Sequence, residues 1–309
     1  MSRYDDINNY FHGENNIHMD KKRYLHLLTD SYEMYLDDIR DNPHELYMTS
    51  KIFFERISSG HMYYYMWELF FEKKINNQML CNFIAFESMY LFVEYTSNPE
   101  NIDNFKATLS RQGRALLSFF ACHKNDITEY YSPFIFDKLK NINDTHRDDL
   151  DCQKLGILAI EMLASENNQA INWDSMGIPF DRFYRDFIKE ALYSKDEKIL
   201  TDWLNALCDN HLKWSARSEL VENESPLLGY EISEDYQLLW PFEYQAVKNF
   251  RAKHGLSTPE IDHPLLKTPM AIDHRPDFSQ WQAPEWFYPL LDKLIAINPK
   301  ISFANDFFK

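Results

Sequence analysis

The pattern of hydrophobic and polar positions in residues 238–255 predicts the helix around which the chain is organised. Apolar side chains recur there at intervals of three, four and seven residues, as on a helix that is packed along one side. Pro241 suits the first helical turn, and Gly255 suits the left-handed position just past the end. The residues that form the apolar stripe are Leu239, Phe242, Ala246, Val247 and Phe250.

Glu243 places a carboxylate within this apolar stripe. It follows Leu239 by four residues and precedes Ala246 by three, so it points along the buried side. A buried carboxylate needs a cation or several donors, or it stays protonated. We favour a core carboxylate tied to an Arg, Lys, Tyr or Trp of a neighbouring helix. The alternative is a general acid or metal ligand, for which this helix face offers no His or Asp.

The rest of the chain is also patterned for helices. Residues 180–192 match the helical template without a gap, and residues 79–95 are apolar on most sides, which predicts a central helix. No segment shows sustained alternation with a period of two, so we predict an all-α fold. A polar stretch at 141–145 predicts two packed helical halves, 1–140 and 145–309, with a loose arm over the first 20 residues. Further helices are predicted over 21–41, 43–57, 99–119, 127–139, 146–163, 195–212 and 285–297. Residues 58–71 are predicted to continue the helix 43–57 or to form a bend after it.

The chain is acidic and poor in glycine. Its 48 acidic and 32 basic residues give a net charge of −16. Such a chain repels nucleic-acid phosphates and attracts a basic partner. With 7 glycines it has few sites for phosphate-binding loops, while aromatic residues, at 16%, supply material for a large core.

The sequence predicts a cytoplasmic protein. The N-terminal residues lack a basic stretch followed by an apolar run, so no secretory signal is visible. The most apolar segment, 81–95, contains Glu87 and Glu94 and is too short to span a bilayer. The four cysteines are far apart, and Cys152 and Cys208 lie beside apolar positions in helical patterns, as expected of reduced core thiols.

Residues 217–235 combine acidic and apolar side chains just before the organising helix. This mixture suits a surface for a basic protein partner, because charge steers the encounter and apolar groups give affinity. A solvated acidic loop is the competing interpretation. The residues predicted to bind the partner are Glu219, Glu222, Glu224, Tyr230, Glu231, Glu234 and Asp235.

One motif suggests an enzyme. Asp37, Asp38 and Asp41 form a D-D-x-x-D string that resembles the Mg²⁺-binding motif of isoprenoid synthases. The second metal motif of that family and a basic cluster for the diphosphate are missing, which favours an acidic helix end. We therefore expect no catalytic site and no cofactor.

Two Asp-His pairs, at 262–263 and 273–274, suggest a metal site. Both pairs are flanked by prolines, which predicts turns in which Asp is the capping residue and His lies at the surface. On this interpretation His263 and His274 are exposed, and we expect no bound metal.

The organising helix carries a motif that resembles a known family. Residues 240–247, Trp-Pro-Phe-Glu-Tyr-Gln-Ala-Val, resemble the Trp-x-Phe-Glu-x-x-Ala-x signature of PoNi-type immunity proteins. Residues 238–239 are Leu-Leu where that pattern has Gly-Tyr. The resemblance implies a two-part helical architecture with a structural motif. The residues of that motif are Trp240, Phe242, Glu243 and Ala246.

The resemblance implies a protein that binds and neutralises a cognate nuclease toxin of type VI secretion. Its acidic surface would pair with the Lys and Arg that the toxin uses for DNA phosphates, with no enzymatic activity, direct nucleic-acid binding or membrane attachment. The alternatives are an Mg²⁺-dependent, isoprenoid-synthase-like enzyme and a helical scaffold without a toxin partner. The sequence does not fix the oligomeric state and is compatible with a homodimer.

Overall fold

The computed structural model describes residues 2–12, 46–97, 109–140, 152–216 and 229–308. These residues form an all-α fold, which confirms the predicted class. Across these ranges there are two isolated parallel bridges and no strand. The described helices are α1 Arg3–His12, α2 Leu46–Trp67, α3 Asn77–Ser97, α4 Leu109–Ala121, α5 Asn125–Lys140, α6 Leu155–Glu166, α7 Arg182–Phe187, α8 Glu197–Lys213, α9 Asp235–Leu238, α10 Phe242–Lys253, α11 Phe287–Ile297 and α12 Ala304–Phe307.

Two π-helical turns continue helices of this set. Glu68–Glu72 directly follows α2, and Ile188–Leu192 directly follows α7. Short 3₁₀ turns, such as Pro264–Lys267 and Pro299–Phe303, occupy much of the chain between and after the later helices. The proline-rich stretch before α11 is therefore a series of single turns.

The chain divides into two compact units, but not at the predicted boundary. The first unit comprises Met1–Gly13 and Asn101–His274, and the second comprises Glu14–Glu100 and Arg275–Lys309. Helices α5 and α6 lie on either side of residues 141–145 and belong to the same unit, so the halves 1–140 and 145–309 are not the structural division. The division into these units depends on helix packing between distant parts of the chain, which a polar stretch in the sequence cannot indicate.

In the first unit, α4 packs against both α6 and α10. The contact with α6 is a close approach of two backbones. A Cβ at Gly113 would overlap the backbone of Leu155 and Gly156, and a Cβ at Gly156 would come within 2.7 Å of Leu109. Glycine at both positions therefore lets these helices lie closer than side chains would allow.

The predicted organising helix is present as α10. It begins after Pro241, which precedes the first turn, and Gly255 follows its end with a left-handed φ of +69°. The Gly255 N–H donates to the Ala252 carbonyl at 3.0 Å, and the Leu256 N–H donates to that of Arg251 at 2.9 Å. These bonds close the last turn in the way that a glycine after a helix permits.

The second unit has an aromatic core. Helices α2 and α3 pack along each other, and α3 is buried on nearly all sides, which confirms the predicted central helix. Trp286 lies against Phe53, Phe54 and Phe86, with ring centroids 4.9, 6.2 and 5.3 Å from its own. Such rings contribute large buried areas and favourable edge contacts.

Three local predictions are wrong or need refinement. The first residues form α1 instead of a loose arm, because Ile7 and Phe11, four residues apart, give this polar stretch a buried side. Helix α2 continues through 58–60 without interruption. Cys152 is exposed because it precedes α6 and lies outside any helix. The cysteines that are buried are Cys81, Cys122 and Cys208.

Candidate functional site

The motif that carries the family resemblance lies inside the first unit. The Trp240 indole N–H donates to Gln245 Oε1 at 2.7 Å. The Gln245 amide in turn donates to the carbonyl oxygens of Met270 and Ile272, at 3.2 and 2.8 Å. These bonds tie the start of α10 to the segment that follows it, so the motif organises the core. The motif side chains, each at most 1% exposed, are Trp240, Phe242, Glu243 and Ala246.

Glu243 is a buried carboxylate tied to α8, and its partner is a histidine. Glu243 Oε2 lies 2.7 Å from His211 Nδ1, and His211 Nε2 lies 3.1 Å from the Leu238 carbonyl oxygen. A carbonyl can accept but not donate, so Nε2 carries a hydrogen. A second hydrogen bond joins Nδ1 and Oε2, so both ring nitrogens of His211 are engaged. The expected Arg, Lys, Tyr or Trp partner is wrong.

A tyrosine hydroxyl lies in the same buried region. Within the described residues neither Glu243 Oε1 nor the Tyr184 hydroxyl has a hydrogen-bond partner, and both residues are buried. Burial raises the pKa of Tyr184 well above its usual value, and the carboxylates of Glu243 and Glu231 raise it further. The phenol therefore stays protonated and cannot serve as a base.

Glu231, predicted to bind a partner, instead caps the start of α6. Glu231 Oε1 accepts the Lys154 N–H and Oε2 accepts the Leu155 N–H, both at 2.8 Å. The residue before α6, Lys154, makes no side-chain capping bond. Glu231 therefore pairs with N–H groups at the start of α6, and its negative charge interacts favourably with the helix dipole. Burial raises the pKa of Glu231, opposed by these bonds and by the Lys154 ammonium. The partner-binding role is wrong for Glu231 because both of its oxygens are buried and engaged.

Asp235 is also an interior residue. It is buried at the start of α9, where the Tyr10 hydroxyl of α1 donates to Asp235 Oδ1 at 3.1 Å. The prediction that it contacts a partner is therefore wrong as well. Glu234 and Tyr230 are half-buried and remain accessible. The acids Glu219, Glu222 and Glu224 lie outside the described residues.

Tyr230 lines an open groove of about 600 Å³. The start of α1, the end of α8 and residues 263–264 form its other walls. Charged groups of both signs border it, including Lys213 and Asp209, and the Arg3 guanidinium beside it donates to the Ser215 carbonyl at 2.6 Å. The groove thus offers aromatic and apolar surface with mixed charge. Its aromatic and apolar lining residues are Tyr4, Leu212, Tyr230 and Pro264.

The two histidines predicted at the surface are buried. His263 Nδ1 accepts the Leu265 N–H at 3.2 Å, and its Nε2 donates to Asp209 Oδ1 at 3.2 Å. His274 Nε2 donates to the Met270 carbonyl at 2.9 Å, and burial lowers the pKa of His274 to about 4. A histidine ring can accept from a backbone N–H, as His263 does, or donate to a backbone carbonyl, as His274 does. An ionised aspartate can only accept, so it cannot replace both histidines in the interior. The aspartates that lie exposed instead are Asp262 and Asp273.

The described residues also bear on metal and membrane binding. In these ranges no group of three or more His, Cys, Asp or Glu side chains is placed to hold a metal ion. No helix among them combines the length and apolar character needed to cross a bilayer. Asp37, Asp38 and Asp41, with the predicted helix over 21–41 that carries them, lie outside the described part of the chain.

Arg251 is an interior residue that the sequence reasoning missed. It is 1% exposed on α10, and its guanidinium donates to the carbonyl oxygens of Ala191, Leu192, Ser194 and Ser257 at 2.6–3.2 Å. The signal was its spacing, because it follows Val247 by four residues and so shares the buried stripe of α10.

No protein-family model, curated protein or solved structure matches this chain. Any inference about its function therefore depends on its own residues.

Proposed function

We propose that this protein is a non-enzymatic immunity protein of the cytoplasm that binds a basic toxin domain and blocks its access to nucleic acid. The net charge of −16 carries the proposal, because it favours a basic protein partner and disfavours nucleic acid itself. The resemblance of residues 240–247 to PoNi-type immunity proteins supports the same role. It suggests a type VI secretion DNase effector as the toxin.

Hydrogen bonds on both sides of residues 217–228 support a docking segment with anchored ends. The Ala216 N–H donates to the Ile232 carbonyl at 2.9 Å, and the Ile232 N–H donates to the Trp214 carbonyl at 3.2 Å. Glu231 also binds the chain around Ile232 to the start of α6, and Asp235 binds it to α1. We therefore give these two carboxylates an anchoring role. The residues we assign to partner contact are Glu219, Glu222, Glu224, Glu234 and, in the groove, Tyr230.

Charge competition explains how such a surface would inhibit a nuclease. The toxin's Lys and Arg side chains that hold DNA phosphates would pair with Glu219, Glu222, Glu224 and Glu234. Opposite charges also speed the encounter, and salt screens this effect over a distance of about 8 Å at physiological ionic strength. No bond is made or broken, and affinity should fall as salt rises.

A charge-reversal variant tests the proposal. The first step is to read the gene beside this one, which the proposal expects to encode a nuclease. The probe is that product, carrying an inactivating substitution at its catalytic residue. Glu219→Lys/Glu222→Lys/Glu224→Lys should weaken its binding by about 10- to 100-fold at low salt and flatten the salt dependence. Calorimetric titration at two salt concentrations measures both quantities.

The matched control reverses three exposed acids elsewhere in the first unit, Asp174, Glu190 and Asp202. It changes the net charge by the same amount, so a weaker effect on affinity shows that position matters. Equal binding by the wild type and the triple variant at both salt concentrations would refute the assigned surface. Failure of the wild type to bind the neighbouring nuclease would refute the proposed function.

A further inference from the structure

The ammonium group of Lys154 is buried in the first unit, just before α6. Lys154 is 1% exposed, and its Nζ donates to the carbonyl oxygens of Cys152 and Gly229 at 2.6 and 2.7 Å. The same Nζ lies over the face of the Trp214 ring, 4.1 Å from its centroid. Two carbonyls and an aromatic face thus compensate the ammonium for the loss of water.

These contacts reach the chain on both sides of residues 217–228, the proposed docking segment. Trp214 lies shortly before that segment, and Gly229 directly follows it. Gly229 has a φ of +84°, and a Cβ there would lie 3.6 Å from Lys154 Nζ and 3.8 Å from the Trp214 ring. The Trp214 and Tyr230 rings are in edge contact, with centroids 6.2 Å apart. One lysine side chain therefore contacts both ends of the docking segment.

The backbone of Lys154 adds a second connection at the same place. Its N–H donates to Glu231 Oε1 at 2.8 Å, two residues beyond Gly229. Burial raises the pKa of Glu231, and the Lys154 charge opposes that rise, which favours the ionised carboxylate. Lys154 thus holds the end of the docking segment through its side chain and through its backbone, at the start of α6.

A buried charge is a costly way to fill this position. Charged groups in a protein interior often add no stability relative to apolar side chains of similar size. A methionine has nearly the same length and could lie against the Trp214 ring, but it could not donate to the Gly229 carbonyl. What the lysine supplies is therefore a directional bond between the start of α6 and the end of the docking segment.

Such a bond affects binding through the ends of the segment. Fixed ends lower the conformational entropy that a segment loses when it binds, so the same contacts give a higher affinity. We infer that Lys154 is a positioning residue for the basic partner, which it does not touch, and that it acts by holding the two ends of the docking segment together. The inference rests on the function proposed above.

The test compares Lys154→Met with Lys248→Met in the full-length protein. Lys248 is exposed on α10, so both variants remove one positive charge from the first unit. Lys154→Met should bind the inactivated neighbouring nuclease about 5-fold more weakly than the wild type, and Lys248→Met should bind as tightly as the wild type. A more negative protein attracts a basic partner more strongly, so the lost charge cannot explain weaker binding.

Two further measurements separate positioning from a general loss of stability. Hydrogen exchange of the free proteins follows the amides of Ala216 and Ile232, which bond across the two ends. Both should exchange faster in Lys154→Met, while the amides of α10 should not change. Lys154→Gln keeps a donor for one carbonyl, so its affinity should lie between those of the wild type and Lys154→Met. It replaces the methionine variant if thermal melting shows that variant to be unfolded.

The outcomes distinguish this inference from the proposed function. If the folded Lys154 variants bind as tightly as Lys248→Met, Lys154 has a structural role only, and the proposed function stands. Unchanged exchange at Ala216 and Ile232 would also overturn the positioning role. If the wild type does not bind the neighbouring nuclease, the proposed function fails and the positioning role fails with it.

Discussion

The two π-helical turns are locked in different ways. The turn Ile188–Leu192 in the first unit is closed by Arg251, which comes from α10 and donates to carbonyls at its end. The turn Glu68–Glu72 in the second unit is closed from within, by the buried Glu68. The first turn buries its apolar side chains, whereas the second leaves Phe71 in water.

This difference follows from where the locking group originates. A helix end leaves carbonyl oxygens unpaired, and a guanidinium with five donors can satisfy several of them together. When the guanidinium comes from a distant helix, the turn becomes part of the core that joins the two. When the lock is local, as with Glu68, the turn keeps its shape although only Leu69 and Phe70 of its apolar side chains are buried and Phe71 is exposed.

Arg251→Met should cause a larger loss of stability than a single substitution within either π turn. It removes the donors to the buried carbonyl groups of Ala191 and Leu192 and leaves them without these partners, at about 1–3 kcal/mol for a typical orphaned group. We expect the free energy of unfolding to fall by about 3–5 kcal/mol. Urea denaturation at neutral pH measures this change.

Arg185→Met is the matched control in α7. Arg185 is partly exposed and pairs with the neighbouring Asp186 at 2.8 Å, an arrangement worth less than about 1 kcal/mol. If Arg251→Met were no more destabilising than this control, the carbonyls would not depend on the guanidinium, and the contrast between the two π turns would be lost.

Much of the fold follows from local patterns. Helix α10 was predictable because its apolar stripe is framed by Pro241 and Gly255, and α3 because nearly every position in it is apolar. The division into units was not predictable, since residues 275–308 join the second unit through contacts with helices some 200 residues earlier. No local pattern encodes such pairing.

The candidate site was harder to predict for the same reason. Glu231 lies in an acidic stretch, which is typical of a surface, and the helix end that it caps is far away in sequence. His211 gives no signal in the sequence because its partner Glu243 is on another helix. Glu243 itself was identified as a buried carboxylate from its position on the stripe. For Glu243, the position in the sequence thus indicated burial, but it did not identify His211 as the group that pairs with the buried carboxylate.

Acid should destabilise both units through one buried histidine each. Burial lowers the pKa of His61, in the second unit, and of His274, in the first, to about 4 from an ordinary value of 6.5. Below pH 6.5 the unfolded chain takes up protons that the folded chain refuses. Stability should therefore fall as pH drops from 6.5 towards 4, by about 1.4 kcal/mol per pH unit for each histidine, or about 2–3 kcal/mol each by pH 4.5.

The slope should be shallower in the first unit. The raised pKa of Glu231 means that the folded state binds a proton more readily than the unfolded chain, which opposes the loss in acid. Asp273 and His123 also face His274 and act on its pKa in opposite directions. His61→Gln and His274→Gln should each flatten the dependence of unfolding free energy on pH. If the unfolding free energy of either variant changed with pH as steeply as that of the wild type, the replaced histidine would not be a source of the acid sensitivity.

Glu68→Gln should weaken the local lock with little effect elsewhere. An amide cannot pair with both the Lys74 ammonium and the Asn76 amide as a carboxylate does, and we expect a loss of about 1–2 kcal/mol. Hydrogen exchange should quicken in residues 68–76 and stay unchanged in α10. Glu72→Gln, at an exposed position of the same turn, is the control and should change exchange little. Uniformly faster exchange would show that the lock is not local.

The smallest effects should have opposite signs at the two left-handed residues. Lys73, with φ +55°, is strained, so Lys73→Gly should stabilise the protein by up to about 1 kcal/mol, less the lost bond to the Phe70 carbonyl. Gly255, with φ +69°, has no atom within 4 Å of the position that a Cβ would take, so Gly255→Ala tests the same backbone strain without a clash and should cost about 1 kcal/mol. Urea denaturation of both variants compares them directly. If Lys73→Gly destabilised as much as Gly255→Ala, the bond from the Lys73 ammonium to the Phe70 carbonyl would outweigh the strain of the left-handed backbone at Lys73.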